Sequence, residues 1–423
     1  MKEDFLHYLW RLKKFDFTKL QTTAGEKIQI QQTGTLNHNA GPDFINAKIQ
    51  IGDTLWAGNV EMHLKSSEWL LHNHQKDKAY NNVILHVVLE EDQTIKRQTG
   101  EKIPCLELKK RVPQKLSAIY KKLIHNEYWI PCQHQLHEVK KITRELWLDR
   151  LMIERLEEKT QAIAQRFEAN KQNWEETFYQ MLSRNFGVKV NAEAFELLAK
   201  SVSILSLAKH KNNLFQLEAL LFGQAGLLDE DFKEEYPQKL KTEYTHLRKK
   251  FNLTPIHATH WKFLRLRPAN FPTVRIAQLA MLIFQSSHLF SKILAIQNVK
   301  EVENMFELSI SNYWQTHYVF DKKSIKRKKT LGKNTIHLFV INTIVPFLFF
   351  YGNKKGDEKF KDKAMQLLAE LPAEKNSIIK KWEELGIHPK SAYQSQALLQ
   401  LKNNYCQQKK CLNCSIGHAI LKG

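Results

Sequence analysis

The chain lacks the cysteines, the leader segment and the long apolar runs that mark secreted or membrane proteins. Its 423 residues include only five cysteines, too few for a disulfide scaffold of this size. Residues 1–17 are charged and have no apolar core of the kind found in signal peptides. The longest apolar run, residues 336–351, contains Asn342 and Pro346 and falls short of the roughly 18 residues expected of a membrane-spanning helix. We therefore expect a buried helix there, no transmembrane segment, and a cytoplasmic location.

Acidic residues are outnumbered by basic ones. The chain has 64 Lys and Arg against 44 Asp and Glu, which gives a formal charge of +20 and a pI of about 9.5. So large an excess favours an anionic partner, with nucleic acid first and a membrane surface second. The alternative is a merely basic soluble protein. Because 43% of the residues are hydrophobic and 10% are aromatic, the chain can bury real cores, and disorder is not expected.

The hydrophobic periodicity changes near residue 135 and divides the chain. Before that point we predict an α+β or α/β domain in the order helix, three strands, helix, strand. The predicted elements are a helix over 3–14, strands over 27–33, 44–51 and 55–65, a helix from 66 to 80, and a buried strand over 83–89. Beyond it the pattern is helical without a fixed repeat, so we expect a mostly α-helical domain. The predicted regions are 1–135, 136–390, and a C-terminal helix with a cysteine-rich tail over 391–423.

Two carboxylates stand out in the N-terminal region. Asp43 follows a turn-rich segment, and Glu61 lies on the next predicted strand, which a tight hairpin joins to the strand after Asp43. The two side chains can therefore converge, with His63 on the same face as Glu61 and Glu3 supplying a further carboxylate from the first helix. Hard cations held by carboxylates activate water and relieve charge on a phosphate, as phosphodiester cleavage requires. We predict a Mg²⁺ or Mn²⁺ site; the alternative is a turn cap at Asp43 and an ordinary polar strand face.

Pro42-Asp43, Glu61-x-His63 and the order of the predicted elements resemble the PD-(D/E)XK nuclease superfamily over about the first 90 residues. The resemblance implies a restriction-endonuclease-like fold in which Asp43 and Glu61 bind magnesium. It places His63 where the family has a Lys that positions the attacking water, although a neutral imidazole is a weaker electrostatic partner for hydroxide. Lys65, one pleat further on, could substitute by reaching back.

A histidine-rich segment follows the third predicted strand. Its polar and aromatic residues are His72, His74, Asp77, Tyr80 and His86. In the nuclease interpretation the first four support the active site by contacting the nucleic-acid backbone or a second cation. A zinc site built from His63, His72, His74 and Asp77 is a second interpretation, and a hydrogen-bonded core network that includes His86 is a third.

A dense basic run lies much later in the chain. Its candidate nucleic-acid-binding residues are Lys322, Lys323, Lys326, Arg327, Lys328 and Lys329. Such a run repels itself and is usually a solvated loop, but in a chain of this charge it can also track phosphates.

The C-terminal tail carries Cys406, Cys411, Cys414 and His418, a compact Cys-x4-Cys-x2-Cys-x3-His spacing. A Cys-x2-Cys turn lets two thiolates meet one metal, so we predict a zinc knuckle. Cys105 or Cys132 could replace His418 as the fourth ligand. An iron–sulfur cluster is a rival cofactor, because some PD-(D/E)XK nucleases carry one on cysteines that flank the catalytic core; free thiols on a helical tail are the alternative.

A second resemblance is carried by five segments, 41–44, 58–63, 85–88, 267–272 and 405–417. Through them the whole chain resembles a bacterial family catalogued as domain of unknown function 2851. The resemblance supplies no activity. The residues themselves favour a metal-dependent nuclease, or a nucleic-acid-binding protein derived from one. The alternative is a non-catalytic nucleic-acid-binding or scaffold protein with a C-terminal metal knuckle.

Overall fold

The computed structural model describes residues 2–286 and 288–422. It is a mixed α+β protein with a small sheet near the N-terminus and a mostly helical remainder, which confirms the class that the periodicity predicts. The chain divides into two compact units. The sheet unit comprises Met1–Trp147 together with Leu401–Gly423, and the helical unit comprises Leu148–Gln400.

The sheet has the order β1-β3-β4-β5-β6, and β2 pairs with the start of β3 on the same edge as β1. The strands are β1 (Ile28–Gln32), β2 (Thr35–Leu36), β3 (Phe44–Ile51), β4 (Thr54–Lys65), β5 (Val83–Glu90) and β6 (Cys105–Glu107). Strand β3 pairs antiparallel with β1, β2 and β4. The pairs β4–β5 and β5–β6 are parallel. The predicted hairpin is confirmed: Ile51 pairs with Thr54, and Gly52 adopts the left-handed φ of +59° that a two-residue turn needs.

Helices cover the sheet and fix its core. The helices of the sheet unit are α1 (Glu3–Arg11), α2 (Glu68–Leu71), α3 (Gln114–His125) and, in the tail, α19 (Ser415–Lys422). Phe5, Leu6 and Leu9 of α1 are fully buried, and Phe5 stacks on Tyr120 of α3 with ring centroids 4.2 Å apart. Strand β5 is buried from Val83 to Val88, as expected of a parallel strand covered on both faces.

The crossover from β4 to β5 differs from the prediction. A single helix over 66–80 is wrong: α2 ends at Leu71, and two short 3₁₀ turns, His74–Lys76 and Lys78–Tyr80, follow it. The helix stops because Asn73 takes a left-handed conformation with φ of +60°, and Asp77 then caps the second turn. The break turns the side chains on either side of Asn73 in new directions.

The helical unit contains helices α4 to α18. Helix α4 starts at Lys141, before the unit boundary at Leu148. The helices are α4 (Lys141–Ala169), α5 (Trp174–Phe186), α6 (Ala192–Ser201), α7 (Ile204–Ala208), α8 (Leu214–Gln224), α9 (Glu235–Phe251), α10 (Pro272–Gln285), α11 (Leu289–Ala295), α12 (Val299–Met305), α13 (Asn312–Thr316), α14 (Lys333–Phe339), α15 (Val345–Lys355), α16 (Glu358–Glu370), α17 (Ser377–Glu384) and α18 (Ala392–Gln400). A small hairpin of β7 (His317–Val319) and β8 (Lys322–Lys323) lies between α13 and α14.

One helical stretch of the described chain, Lys333–Lys355, is long and apolar enough to cross a membrane by length and composition. It joins α14 and α15 through a wider turn at Val340–Ile344, and 72% of its apolar window is buried inside the protein. The same test is passed by core helices of soluble proteins.

Candidate functional site

The two predicted carboxylates lie opposite each other where the pairing of β3 with β4 ends. The last paired residues are Phe44 and Val60. Beyond them the two segments are joined by hydrogen bonds from backbone N–H groups to the carboxylates of Asp43 and Glu61. Oδ2 of Asp43 accepts the N–H of Met62 at 2.9 Å, and Oε2 of Glu61 accepts the N–H of Asp43 at 3.0 Å. These reciprocal bonds fix both carboxylates and leave Oε1 of Glu61 to face the neighbouring histidines.

On the side of α1, Asp43 contacts His7, which was not among the predicted site residues. Nε2 of His7 lies 3.2 Å from Oδ2 of Asp43 and 3.6 Å from Oε1 of Glu3, and the donor atoms of all three residues lie within 4.8 Å of one another. Burial alone would lower the pKa of His7, but the hydrogen bonds and charges of Asp43 and Glu3 raise it to about 9. His7 is therefore an imidazolium at neutral pH. The Glu3–His7 spacing of one helical turn was the signal that could have found it.

On the side of the crossover, three histidines converge on Glu61. Asn73, between His72 and His74, has a left-handed φ of +60°, and both histidines contact side chains of β4 although they are two residues apart. Nε2 of His63 lies 3.2 Å from Nδ1 of His72 and 3.6 Å from Oε1 of Glu61, and Nε2 of His74 lies 3.1 Å from the same oxygen. The donor atoms of the three histidines lie within 4.8 Å of one another. We call these three residues and Glu61 the histidine site.

A second layer of side chains holds the histidine site in place. Nδ1 of His63 lies 2.9 Å from Nε2 of His86, and both rings are about 1% exposed. Burial lowers the pKa of His63 to about 4 and that of His86 well below its usual value, so both are neutral at pH 7. Tyr80 stacks on His74 with centroids 3.8 Å apart, and Trp69 meets His74 edge-on. Neutral imidazoles anchored through their second nitrogen are the form in which histidine binds metals.

The donor atoms of the three histidines are close enough together to hold a metal ion. An ion with tetrahedral bonds of about 2.05 Å to nitrogen holds its ligands about 3.3 Å apart, close to the 3.1, 3.2 and 3.6 Å separations observed here. Glu61 is 4% exposed. Burial raises its pKa to about 7, the nearby charge of Asp43 acts in the same direction, and the hydrogen bond from His74 opposes them. A carboxylate of this kind can exchange a proton near neutral pH.

Two predicted site residues lie outside this arrangement. Lys65 is exposed at the end of β4, and its backbone N–H donates to Oε2 of Glu68. The side chain of Asp77 accepts the N–H of Ala79 at 2.9 Å and caps the turn before Tyr80. Asp77 is therefore occupied with shaping the crossover.

The predicted basic run lies in the helical unit and is exposed with one exception. The exposed members are Lys322, Lys323, Lys326, Arg327 and Lys328. Lys329 is 6% exposed, and its ammonium donates to the carbonyl oxygens of Trp314 and His317 at 2.5 and 2.7 Å. Lys329 is thus a structural residue of the β7–β8 region, whereas its neighbours keep their charges at the surface.

In the tail, Cys406, Cys411 and Cys414 are buried as free thiols. His418 does not face them as a fourth ligand would. Its Nε2 meets the carbonyl oxygen of Leu412, and its ring packs against Tyr8 at 5.3 Å between centroids.

A cleft of about 510 Å³ opens beside His7 in the sheet unit. Its lining includes four Lys and Arg side chains, Lys2, Arg11, Lys409 and Lys410, and one carboxylate, Asp4. Basic groups around a concave surface attract phosphates. His7 itself is part of the lining, whereas Asp43 is not.

A family model described as a protein of unknown function (DUF2851) matches residues 3–377. The chain therefore belongs to this family, which confirms the resemblance that its motifs predict. Neither the curated proteins nor the solved structures gave a match. The resemblance to PD-(D/E)XK nucleases finds no support in these comparisons and stays a prediction.

Proposed function

We propose that this family member is a metal-dependent phosphodiesterase that acts on nucleic acid, with its reaction centre at the histidine site. The observation that carries the proposal is that donor atoms of His63, His72 and His74 all lie within 4.8 Å of one another. Oε1 of Glu61 lies beside them, 3.1 Å from His74 and 3.6 Å from His63. Three histidines are a ligand set that leaves one tetrahedral position open for water or substrate.

The donor atoms favour a different ion from the one that the carboxylates alone predict. Imidazole nitrogens suit Zn²⁺ and similar transition metals, whereas Mg²⁺ takes oxygen ligands. The contact between His63 and His86 supports the same choice, because a ligating histidine commonly donates its other N–H to a buried acceptor. A bound ion would supply Lewis acidity toward the phosphate.

The chain itself offers a base and an acid on either side of Asp43. Glu61, whose Oε1 lies beside two of the histidines, is placed to take the proton of the attacking water. His7, held as an imidazolium by Asp43, is placed to protonate the leaving oxygen. Asp43 orients both partners, since its Oδ2 contacts His7 while its own N–H is held by Glu61.

Charge supports nucleic acid as the substrate class. The formal charge is +20, and basic side chains line the cleft beside His7. The exposed members of the 322–328 run provide a further place where phosphates can bind. Both features attract a polyanion without selecting a base sequence.

A second candidate is a closed, non-catalytic metal site in a binding or scaffold protein. It is favoured by the burial of Glu61 and His63, which are 4% and 1% exposed. If Glu61 occupies the fourth tetrahedral position, no water reaches the ion, as in structural zinc sites. The exposed edge of His72 supports the open, catalytic form.

The test is cleavage of labelled DNA and RNA by chelated protein restored with Zn²⁺, Mn²⁺ or Mg²⁺, for the wild type and for Glu61→Gln. We expect Glu61→Gln to keep the ion and lose cleavage. Glu90→Gln is the matched control, because Glu90 is an exposed carboxylate at the end of β5. A wild type that binds one ion tightly but cleaves neither substrate would refute the enzyme and leave the closed metal site.

A further inference from the structure

Four of the five cysteines are buried together in the sheet unit although they come from distant parts of the sequence. Cys132 follows α3, and the other three lie in the tail. Their exposed fractions are 8% for Cys132 and Cys406, 7% for Cys411 and 6% for Cys414. The four thiols are near enough that Cys132, Cys411 and Cys414 all act electrostatically on Cys406.

The backbone around these thiols is built to bring them together. Lys402 donates to the carbonyl of Trp129 at 2.9 Å, and Lys409 donates to the carbonyls of Ile124 and Asn126 at 2.7 and 2.8 Å. These bonds tie the segment before Cys132 to the tail. These hydrogen bonds hold the two segments together without any contact between the sulfurs.

Gly417, in the first turn of α19, lets the helix pack closely against the backbone of Cys411. A Cβ on Gly417 would lie 2.1 Å from the carbonyl oxygen of Cys411, so no larger residue fits there. The N–H groups of Ile416 and Gly417 point at the sulfur of Cys414. Hydrogen bonds of this type stabilise a thiolate and tune metal–sulfur centres.

We propose that Cys132, Cys406, Cys411 and Cys414 bind an iron–sulfur cluster through four thiolates, with Cys132 in the fourth position instead of His418. All four are free thiols, and none is used in a disulfide. The remaining cysteine, Cys105, lies on β6 beside Glu91 and Glu107, away from this group. The proposal stands independently of the histidine site.

The spacing of the sulfurs favours a cluster over a single zinc ion. Among the described residues, the groups whose three donor atoms all lie within 4.8 Å are His63–His72–His74 and Glu3–His7–Asp43. No three of the four sulfurs meet that 4.8 Å limit. A zinc ion with Zn–S bonds of about 2.3 Å would hold its sulfurs about 3.8 Å apart. A cluster places several metal atoms between its thiolates and needs the wider spacing.

The test is metal and acid-labile sulfide analysis of the full chain purified without oxygen, with visible and EPR spectra before and after reduction. We expect about four iron and four sulfide per chain, and a visible band that bleaches on reduction. Cys132→Ser should lose the iron and the band. Cys105→Ser, the matched buried cysteine, and His418→Gln should keep both.

The histidine site can hold an ion of its own, so each measurement is repeated in the His72→Ala background. If Cys132→Ser fails to fold, sulfur-edge and iron-edge X-ray absorption of the wild type decides whether four protein sulfurs bind iron. Iron retained by folded Cys132→Ser would overturn the proposal. So would a single zinc ion, without sulfide, on the same cysteines.

Discussion

The histidine site and the cysteine group lie in the same unit but are assembled in opposite ways. The histidine site comes from one short stretch, in which β4 and the crossover after it supply Glu61 and three histidines. The cysteine group joins a residue after α3 to a tail that follows the entire helical unit in sequence. A site of the first kind is visible in local spacing, whereas a site of the second kind requires the fold.

The two sites also differ in how they meet solvent. The histidine site has one exposed member, His72, and its carboxylate exchanges a proton near neutral pH. The cysteines are all buried, and burial raises the pKa of Cys132 and of Cys411 to about 12. A metal that binds the cysteine group must displace these thiol protons. Once bound, it is shielded from solvent, so we expect slower metal exchange there than at the partly exposed histidine site.

The largest expected effect is a difference in cleavage activity between variants of the histidine site and variants of the cysteine group. His63→Ala removes a ligand, and cleavage should fall on the order of 10³-fold, because a lost Lewis acid removes several kcal/mol of transition-state stabilisation. Cys411→Ser should leave single-turnover cleavage within about threefold at equal folded fraction, since it touches no reacting group. Parallel loss of cleavage in both variants would mean that the two sites do not act separately.

The next effect concerns His7 and the stability of chelated protein. The folded pKa of His7, about 9, lies above its unfolded value of 6.5, so its contribution is complete below pH 6.5 and is lost as pH rises through 9. The shift corresponds to about 3 kcal/mol in all, of which about 2 kcal/mol is lost between about pH 7.5 and 10. Urea unfolding should therefore show a steeper alkaline decline in the wild type than in His7→Gln. Equal declines would contradict the imidazolium.

His86 tests whether the histidine site depends on its buried support. His86→Phe keeps an aromatic ring of similar size but removes the partner of His63, and zinc affinity should fall about 10- to 100-fold. His86→Gln restores an acceptor and should fall less. Competition with a chromophoric chelator measures both. Unchanged affinity in His86→Phe would show that His63 is oriented by other contacts.

The sequence predicts much of the sheet because the relevant signals are local. The alternation of apolar and polar residues and the Gly52-Asp53 turn predict the β3–β4 hairpin. The hairpin alone is enough to bring Asp43 opposite Glu61. The apolar run of β5 likewise predicts a buried parallel strand. His7 was within reach of the same reasoning, since it lies one turn from Glu3 on a predicted helix.

What escaped prediction depends on contacts between distant segments or on one backbone angle. The sequence left the fourth ligand open between His418, Cys105 and Cys132, because nothing in the tail indicates which distant segment packs against it. Lys329 reads as one more charge in a basic run, yet its ammonium is bound by two backbone carbonyls. The helix predicted over 66–80 fails at Asn73, since a single left-handed residue leaves the helical periodicity intact on both sides.

The smallest expected effect comes from Asn73 itself. Its left-handed conformation, with φ of +60°, is tolerated by Asn and Gly, whereas Ala there should cost about 1 kcal/mol. To avoid this strain, the variant would favour continuing α2 through residue 73. In a continuous helix, residues two apart, such as His72 and His74, face different directions. Asn73→Ala should therefore lower zinc affinity several-fold, and Asn73→Gly should keep it. Equal affinities would show that the stacking of Tyr80 and Trp69 on His74, rather than the backbone reversal, brings the ligands together.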